Sequence, residues 1–289
     1  MQNRPSKESS KYPYPIILII TLVFTLIPVS AWCQKSYKLA VFPEYYPIVI
    51  YEKCTPLISY LNEKLDAKFQ LVIPKNINEY MRLVKEEKVD FSYQNPYVFF
   101  QLRSQVQALV ITEKGKKWGI ESRGVIISKK GKGINKVDDL IGKRINIVSR
   151  YSADGFIAQE MLLKGMMINL GTDYSVYENN PNSHGSVLVN VLKEDADAGF
   201  LSEEVLLEPD PSYNLYAEEL KRINVVAVTG FIPNWIFCAR KKLNPAFVND
   251  VKEVLLNIPL DSEVSKSVKI RRFVQIPSNY LEEYESKVK

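Results

Sequence analysis

The chain has 289 residues, with 38 Lys and Arg against 33 Asp and Glu, giving a net charge of +5. A quarter of the residues are charged, 46% are hydrophobic, and Gly and Pro number 12 and 16, so disordered and fibrous classes are excluded. A positive excess this mild gives no footprint for nucleic acid.

Arg4, Lys7 and Lys11 stand against Glu8 and precede an uncharged, largely apolar run from Ile16 to Val29, broken only by Thr21, Thr25 and Pro28. Basic residues followed by such a run form the layout of a secretory signal. The run is shorter than the roughly 20 apolar residues that span a bilayer comfortably. Val29-Ser30-Ala31 places small residues where a leader peptidase reads, so residues 1–31 are expected to be removed, leaving Trp32 first. Cys33 would invite lipidation, but Trp32 stands where a lipoprotein signal wants a small side chain. Three bases and one acid leave with the leader, so the remaining 258 residues carry about +3. That length exceeds one compact core and predicts two lobes. Cys54 and Cys238 could pair in an oxidising envelope or stay as buried thiols.

From Tyr37 onward, short apolar runs alternate with helical patterns. Strands are expected at Lys38–Phe42, Phe69–Ile73 and Val89–Tyr93, with helices from about Pro56 to Leu65, over Ile77–Glu86, and starting at Pro96. In the first of these helices Leu57, Tyr60, Leu61 and Leu65 fall on one face, which needs a sheet to cover it. The rhythm restarts near Gly124. Strands are expected at Val125–Ser128, Arg144–Val148, Tyr174–Tyr177 and Asp197–Leu201, a short helix at Val137–Ile141, and helices over Gly155–Lys164 and Gly185–Leu192. Val225–Val228 and Trp235–Ala239 read as strands returning to the first lobe, followed by a helix over Pro245–Leu256 and a surface helix from Ser278. Such alternation predicts an α/β fold. The first lobe is expected over residues 36–121 plus 226–289 and the second over 122–225. Crossings at Ser122–Ser128 and Asn224–Val228 make a two-crossing hinge around a cleft.

Three segments sit where strands end and helices begin. Asp90 to Tyr97 ends a buried strand in Tyr93-Gln94-Asn95-Pro96, where either a ligand site or an Asn95 helix cap fits. Ser149 to Gly155 follows a strand and opens a helix, so its free amides favour an anion, while Asp154 opposes one and could instead cap the helix. Asn182 to Ser186 opens another helix and holds the single histidine, His184, either as a ligand donor or as a solvated ring in a capping loop. One histidine and no C-x-x-C spacing predict no metal. Dinucleotide and P-loop signatures are missing, so no cofactor is implied. Ser152, His184 and Asp195 or Asp197 could be written as a triad, but Ser152 lies in no G-x-S-x-G turn, and no catalysis is predicted. Were there any, Glu203, Glu204, Asp154 and His184 would supply acid and base.

In order along Tyr37–Pro259, several motifs resemble the phosphate, phosphite and phosphonate binding proteins of ABC transporters, the PhnD-like family. They are Pro56-Leu57 with Tyr60-Leu61, Val89-Asp90-Phe91 leading to Tyr93 and Asn95-Pro96, and Lys136-Val137-Asp138-Asp139-Leu140 with Gly142-Lys143-Arg144. Ser183-His184 with Val187, Asp195-Ala196-Asp197-Ala198-Gly199, Ile232-Pro233-Asn234, Ala239-Arg240 and Leu243-Asn244-Pro245 continue the series. The resemblance implies a two-lobed type II periplasmic-binding-protein (Venus-flytrap) fold, a small ligand between the lobes, a membrane permease as partner, a monomer, and residence in the periplasm or cell envelope. A sensory module of the same fold is the alternative.

By resemblance, the family's oxyanion-gripping turn falls on Ser152, Ala153, Asp154 and Gly155, its serine–histidine pair on Ser183 and His184, and its opposing tyrosine on Tyr93. Tyr46 and Asn95 are further expected contacts. The turn departs from the family's Ser-Thr-Ser by losing two hydroxyls and gaining the Asp154 charge. A cationic or zwitterionic ligand would suit an inward Asp154. If Asp154 turns outward, the amides and Ser152 are left for a small anion, with Arg150 near.

Overall fold

The computed structural model describes residue 1 and residues 34–178, 182–207 and 217–288. The expected leader, its cleavage site at Ala31, and Cys33 lie outside the described residues. Lys35–Lys289 form one compact unit.

The first part of the chain runs β1 (Ser36–Val41), α1 (Pro47–Lys64), β2 (Lys68–Val72), α2 (Ile77–Lys85), β3 (Phe91–Gln94), α3 (Pro96–Leu102) and β4 (Val106–Glu113). A connecting stretch of α4 (Gly115–Trp118) and β5 (Glu121–Ser122) leads to β6 (Gly124–Lys129). There follow a 3₁₀ turn at Val137–Leu140, β7 (Arg144–Ile147), a π-helical turn at Ala153–Ile157, α5 (Ala158–Gly165) and β8 (Ser175–Glu178). Next come α6 (His184–Lys193), β9 (Ala198–Ser202), α7 (Glu204–Leu207), α8 (Ala217–Leu220) and β10 (Ile223–Val228). The chain returns through β11 (Ile232–Pro233) to β12 (Ile236–Arg240), α9 (Pro245–Leu256), α10 (Glu263–Val268), β13 (Arg272–Val274) and α11 (Tyr280–Val288).

Two sheets of five or more strands result. One has the order β13-β4-β12-β3-β1-β2 and the other β10-β6-β9-β7-β8. Central strands such as β3, β12, β6 and β9 are buried on both faces, while the edge strands β2, β8 and β10 are only partly covered. In β1 the period of two sends Leu39 and Val41 to one face, with Leu57 and Leu61 of α1, while Ala40 packs on the other with Tyr80 and Val84 of α2. In the second sheet Ile126 and Ile145 face Leu163 of α5, and Val125 and Ile127 face Val187 and Val191 of α6. Cys54 and Cys238 are free and buried, and they belong to the cores on opposite faces of the six-stranded sheet.

Most expected elements form, with four differences. The helix expected from Pro56 begins nine residues earlier at Pro47, and Pro56 lies inside it. Ile50, Cys54, Leu57 and Leu61 form one continuous buried stripe, so tertiary burial outweighs the hydrogen bond that Pro56 cannot donate. The strand expected in the first lobe at Val225–Val228 is an edge of the second sheet, antiparallel to β6. The short pair β5–β11, Ile232 opposite Ser122, therefore makes the crossing between sheets a few residues beyond Asn224–Val228. Between Ser152 and Ile157 the backbone forms a π turn before the regular helix starts at Ala158. The tail from Ser278 does form a helix, but Leu281 and Tyr284 are buried, so it is docked by one face.

Candidate functional site

The parallel strands of both sheets end toward one cleft, where open α/β sheets hold ligands. Glu44 follows β1, Asn95 follows β3, the turn from Ser149 follows β7, and Ser202 ends β9. A cavity of about 790 Å³ lies here, lined by residues of both sheets, including Tyr93, Lys114 and Trp235 on one side and Asp154, His184 and Ser202 on the other. Its size is that of small-molecule sites generally.

His184 is the first residue of α6, whose N-cap Ser183 accepts a hydrogen bond from the Ser186 N–H at 3.2 Å. The ring is not solvated, since its side chain is only 13% exposed. The Ser202 backbone N–H donates to Nδ1 at 2.9 Å. An N–H can only donate, so Nδ1 keeps its lone pair and the neutral ring carries its proton on Nε2. Burial, against an opposing pull from Asp154, holds the imidazole below its ordinary pKa. His184 therefore offers one N–H, located 3.6 Å from Asp154 Oδ1 and 4.0 Å from Glu44 Oε2.

Asp154 does not cap a helix. It sits in the π turn, and its carboxylate turns toward His184 across the cavity floor. The turn is held by Gln159, whose buried amide nitrogen lies 2.8 Å from the Asp154 carbonyl and 3.2 and 3.1 Å from those of Val125 and Leu201. Close packing at Gly155 shapes it further, because a Cβ there would meet Val148 Cγ2 at 2.5 Å.

Glu44 is 4% exposed. Burial first, then the charge of Asp154, push its pKa up to about 8, while Asn95 and Ser152 pull the other way. Asn95 does three things at once. Its Oδ1 accepts the Val98 N–H to cap α3, and its amide donates to Glu44 Oε1 at 3.3 Å and to the Tyr151 carbonyl of the other sheet's turn at 2.9 Å. A second link across the cleft pairs Lys114 with Glu204. Burial lowers the Lys114 pKa, but Glu204, aided by Asp154, more than reverses this and leaves it raised. Tyr93 bonds Thr112 at 2.8 Å and packs 5.1 Å from Trp235, and burial raises its phenol pKa.

Of the residues singled out from the sequence, Tyr93, Asp154, Ser183 and His184 line the cavity. Asn95, Ser152, Ala153 and Gly155 stand behind that lining and shape it. Tyr46 is 51% exposed at the start of α1 and is not part of the lining; Tyr45 is. Asp195 and Asp197 are remote from the triad once considered, with Asp197 accepting the Arg144 backbone N–H at 2.9 Å. Glu203 is committed to Arg123, at 2.9 Å for the Nη2 contact. Sequence reading missed Glu44, Lys114, Trp118, Ser202 and Trp235 as contributors. The strand-end rule that found Asn95 applies equally to Glu44 and Ser202. Among the described residues no group of three or more His, Cys, Asp or Glu is placed to hold a metal.

A solved structure of PhnD1 from Prochlorococcus marinus in complex with methylphosphonate superposes with a TM-score of 0.71 at 18% identity, covering 88% of this chain and 97% of that one. A binding protein component of an ABC phosphonate transporter from Pseudomonas aeruginosa gives 0.74 at 11% identity, covering 88% and 85%. At these identities the likeness shows the fold, the α/β architecture of type II periplasmic binding proteins. In sequence, the tetrathionate sensor histidine kinase TtrS of Salmonella typhimurium is 24% identical over 218 residues, which is 71% of this chain and 36% of that protein. The chain thus spans about a third of that relative's length. The model of a family of non-catalytic binding proteins, described as "ABC transporter, phosphonate, periplasmic substrate-binding protein", matches residues 39–280, and the chain belongs to that family.

Proposed function

We propose that this protein is an exported solute-binding component that captures one small molecule between its two sheets and presents the closed form to an ABC permease. The reading rests on a single observation: the cavity takes its walls from both sheets, with Tyr93 and Lys114 facing Asp154, His184 and Ser202. The short β5–β11 pair is the hinge about which such walls separate and close. His184 Nε2–H faces Asp154 and Glu44 and orients the carboxyl groups that meet the solute, and the aromatic walls exclude water. The protein performs no chemistry on what it holds.

A second reading, a ligand-sensing module that signals to a membrane partner, is favoured by the similarity to a sensor kinase over 218 residues. Fold does not separate the two. The experiment that tests capture is a thermal-shift screen against phosphate, phosphite, phosphonates, sulfonates, amino acids and polyamines. A ligand present at a hundred times its Kd adds about 2.7 kcal/mol to the folded state, so a true ligand raises the melting temperature. Deleting the gene then divides the readings: lost uptake of the labelled ligand supports transport, and intact uptake with a lost transcriptional response supports sensing.

A further inference from the structure

The buried end of the cavity holds two carboxyl groups, one from each sheet, that form no ion pair with Lys or Arg among the described residues, although the Lys114 charge reaches both. Glu44 is 4% exposed and the Asp154 side chain 13%. Both converge on His184 Nε2, at 4.0 and 3.6 Å. His184 does not neutralise them, because its Nδ1 is taken by the Ser202 N–H at 2.9 Å and the ring is held neutral by burial. Lys114 lines the same cavity but is paired with Glu204. Among the described residues, no Lys or Arg forms an ion pair with Glu44 or Asp154.

An independent observation points to a ligand in this place. The Ser202 hydroxyl, on a residue only 3% exposed that lines the cavity, has no hydrogen-bond partner. A buried hydroxyl costs about 1–3 kcal/mol when unpaired, so it is expected to be met by something in the bound state. The rings of Tyr45, Tyr93, Trp118 and Trp235 complete the wall. Aromatic faces attract cations, and two of these rings already do so within the chain, Lys53 lying 3.7 Å from the centre of Tyr45 and Arg123 5.3 Å from that of Trp118. An oxyanion placed here would instead face two desolvated carboxyl groups, and closely set like charges resist joint ionisation.

We propose that this end of the cavity binds the ammonium group of a small organic amine or betaine, at the position where the family resemblance implies a phosphorus oxyanion. This rests on the solute-capture reading and narrows its ligand class. Asp154 and Glu44 clasp the cation from opposite sheets, so the ligand's charge bridges the two sides of the cavity. Glu44 faces Asp154, whose charge raises its pKa, Lys114, whose charge lowers it, and the neutral ring of His184. An arriving cation favours the ionised form of Glu44, so binding releases a proton.

The test is calorimetric titration of the whole protein with ethanolamine, putrescine, choline and glycine betaine, and in parallel with phosphate, methylphosphonate and tetrathionate. The expected result is one-to-one binding of at least one ammonium compound and of none of the three oxyanions. Glu44→Gln and Asp154→Asn should each weaken that binding at least tenfold, about 1.4 kcal/mol. Heats in buffers of different ionisation enthalpy should report proton release that Glu44→Gln abolishes, a readout that damaged folding alone would not give. Binding of an oxyanion that Asp154→Asn leaves unchanged or tightens overturns the proposal while leaving solute capture intact. Ammonium binding indifferent to both substitutions also overturns it. If no ammonium compound binds, the ammonium site falls, while solute capture stands or falls on the wider thermal-shift screen.

Discussion

At the scale of single residues, the chemistry of the cleft is set by which hydrogen-bond partners are fixed. The Ser202 amide fixes the His184 tautomer, which leaves Nε2–H as a donor with nothing but carboxylates and the cavity before it. His184→Ala should therefore weaken ligand binding at least tenfold, about 1.4 kcal/mol, as titration calorimetry would read, and cost about 1–3 kcal/mol of stability by leaving the Ser202 N–H unpaired. Glu44 makes a prediction about stability. Its carboxyl keeps a proton up to about pH 8 when folded, whereas an unfolded glutamate loses it near its ordinary 4.5. Between those values the folded state binds more protons, so Glu44's contribution is fully present below about pH 4.5 and is lost as pH rises to about 8. Glu44→Gln should thus match the parent near pH 4.5 and exceed its stability at pH 8.5 by on the order of a few kcal/mol, checked by urea unfolding at both pH values. His184, with its lowered pKa, works in the opposite sense: its contribution is present above its ordinary 6.5 and falls away as the ring is forced to protonate.

At the scale of elements, the decisive piece is the turn from Ser152 to Ile157 that carries Asp154. Its π geometry depends on Gln159, a fully buried side chain whose amide nitrogen bridges to β6, β9 and the turn itself. Gln159→Leu keeps the volume and removes the donors, which should cost about 1–3 kcal/mol in a denaturant titration and weaken binding by loosening Asp154. Gly124, opposite this glutamine, admits no side chain either, because a Cβ would meet the Gln159 amide at 2.3 Å and the Asp154 carbonyl at 2.8 Å. Gly124→Ala should destabilise by about 1–3 kcal/mol in the same titration, since the carbonyl is backbone and cannot swing aside. The strands were legible in the sequence because buried α/β strands are short apolar runs bounded by polar residues, and the residues at their ends, Tyr93, Asn95 and Asp154, were legible with them. Glu44 and Lys114 were not. Both follow strands, Glu44 after β1 and Lys114 directly after β4, but a strand end alone does not distinguish a cavity wall from a solvated loop. Pro56 misled in another way, because proline marks a helix start only when no earlier residues have a face to bury, and Ile50 and Cys54 do.

For the whole molecule, two sheets linked through the short β5–β11 pair line one cavity from both sides. The polar links across the cleft, Asn95 to Tyr151 and Lys114 to Glu204, are joined by contacts of Tyr97 with Tyr151 and of Ala153 and Ala158 with Ile232 and Tyr284. Such contacts hold a closed form without locking it, so the open and closed states are expected to lie within the few kcal/mol that a ligand's differential affinity supplies. Which sheet Val225–Val228 joins could not be read from its apolar pattern, since an edge strand fits either sheet equally and only pairing with β6 decides. Capture between the sheets is the central claim, and Trp118 and Trp235 report on it directly because both line the cavity. The measurement is a titration of tryptophan emission with the solutes of the thermal-shift screen. The account predicts a saturable one-to-one change with one solute class, lost in His184→Ala. Emission that no solute alters, or a change that His184→Ala leaves untouched, would contradict it.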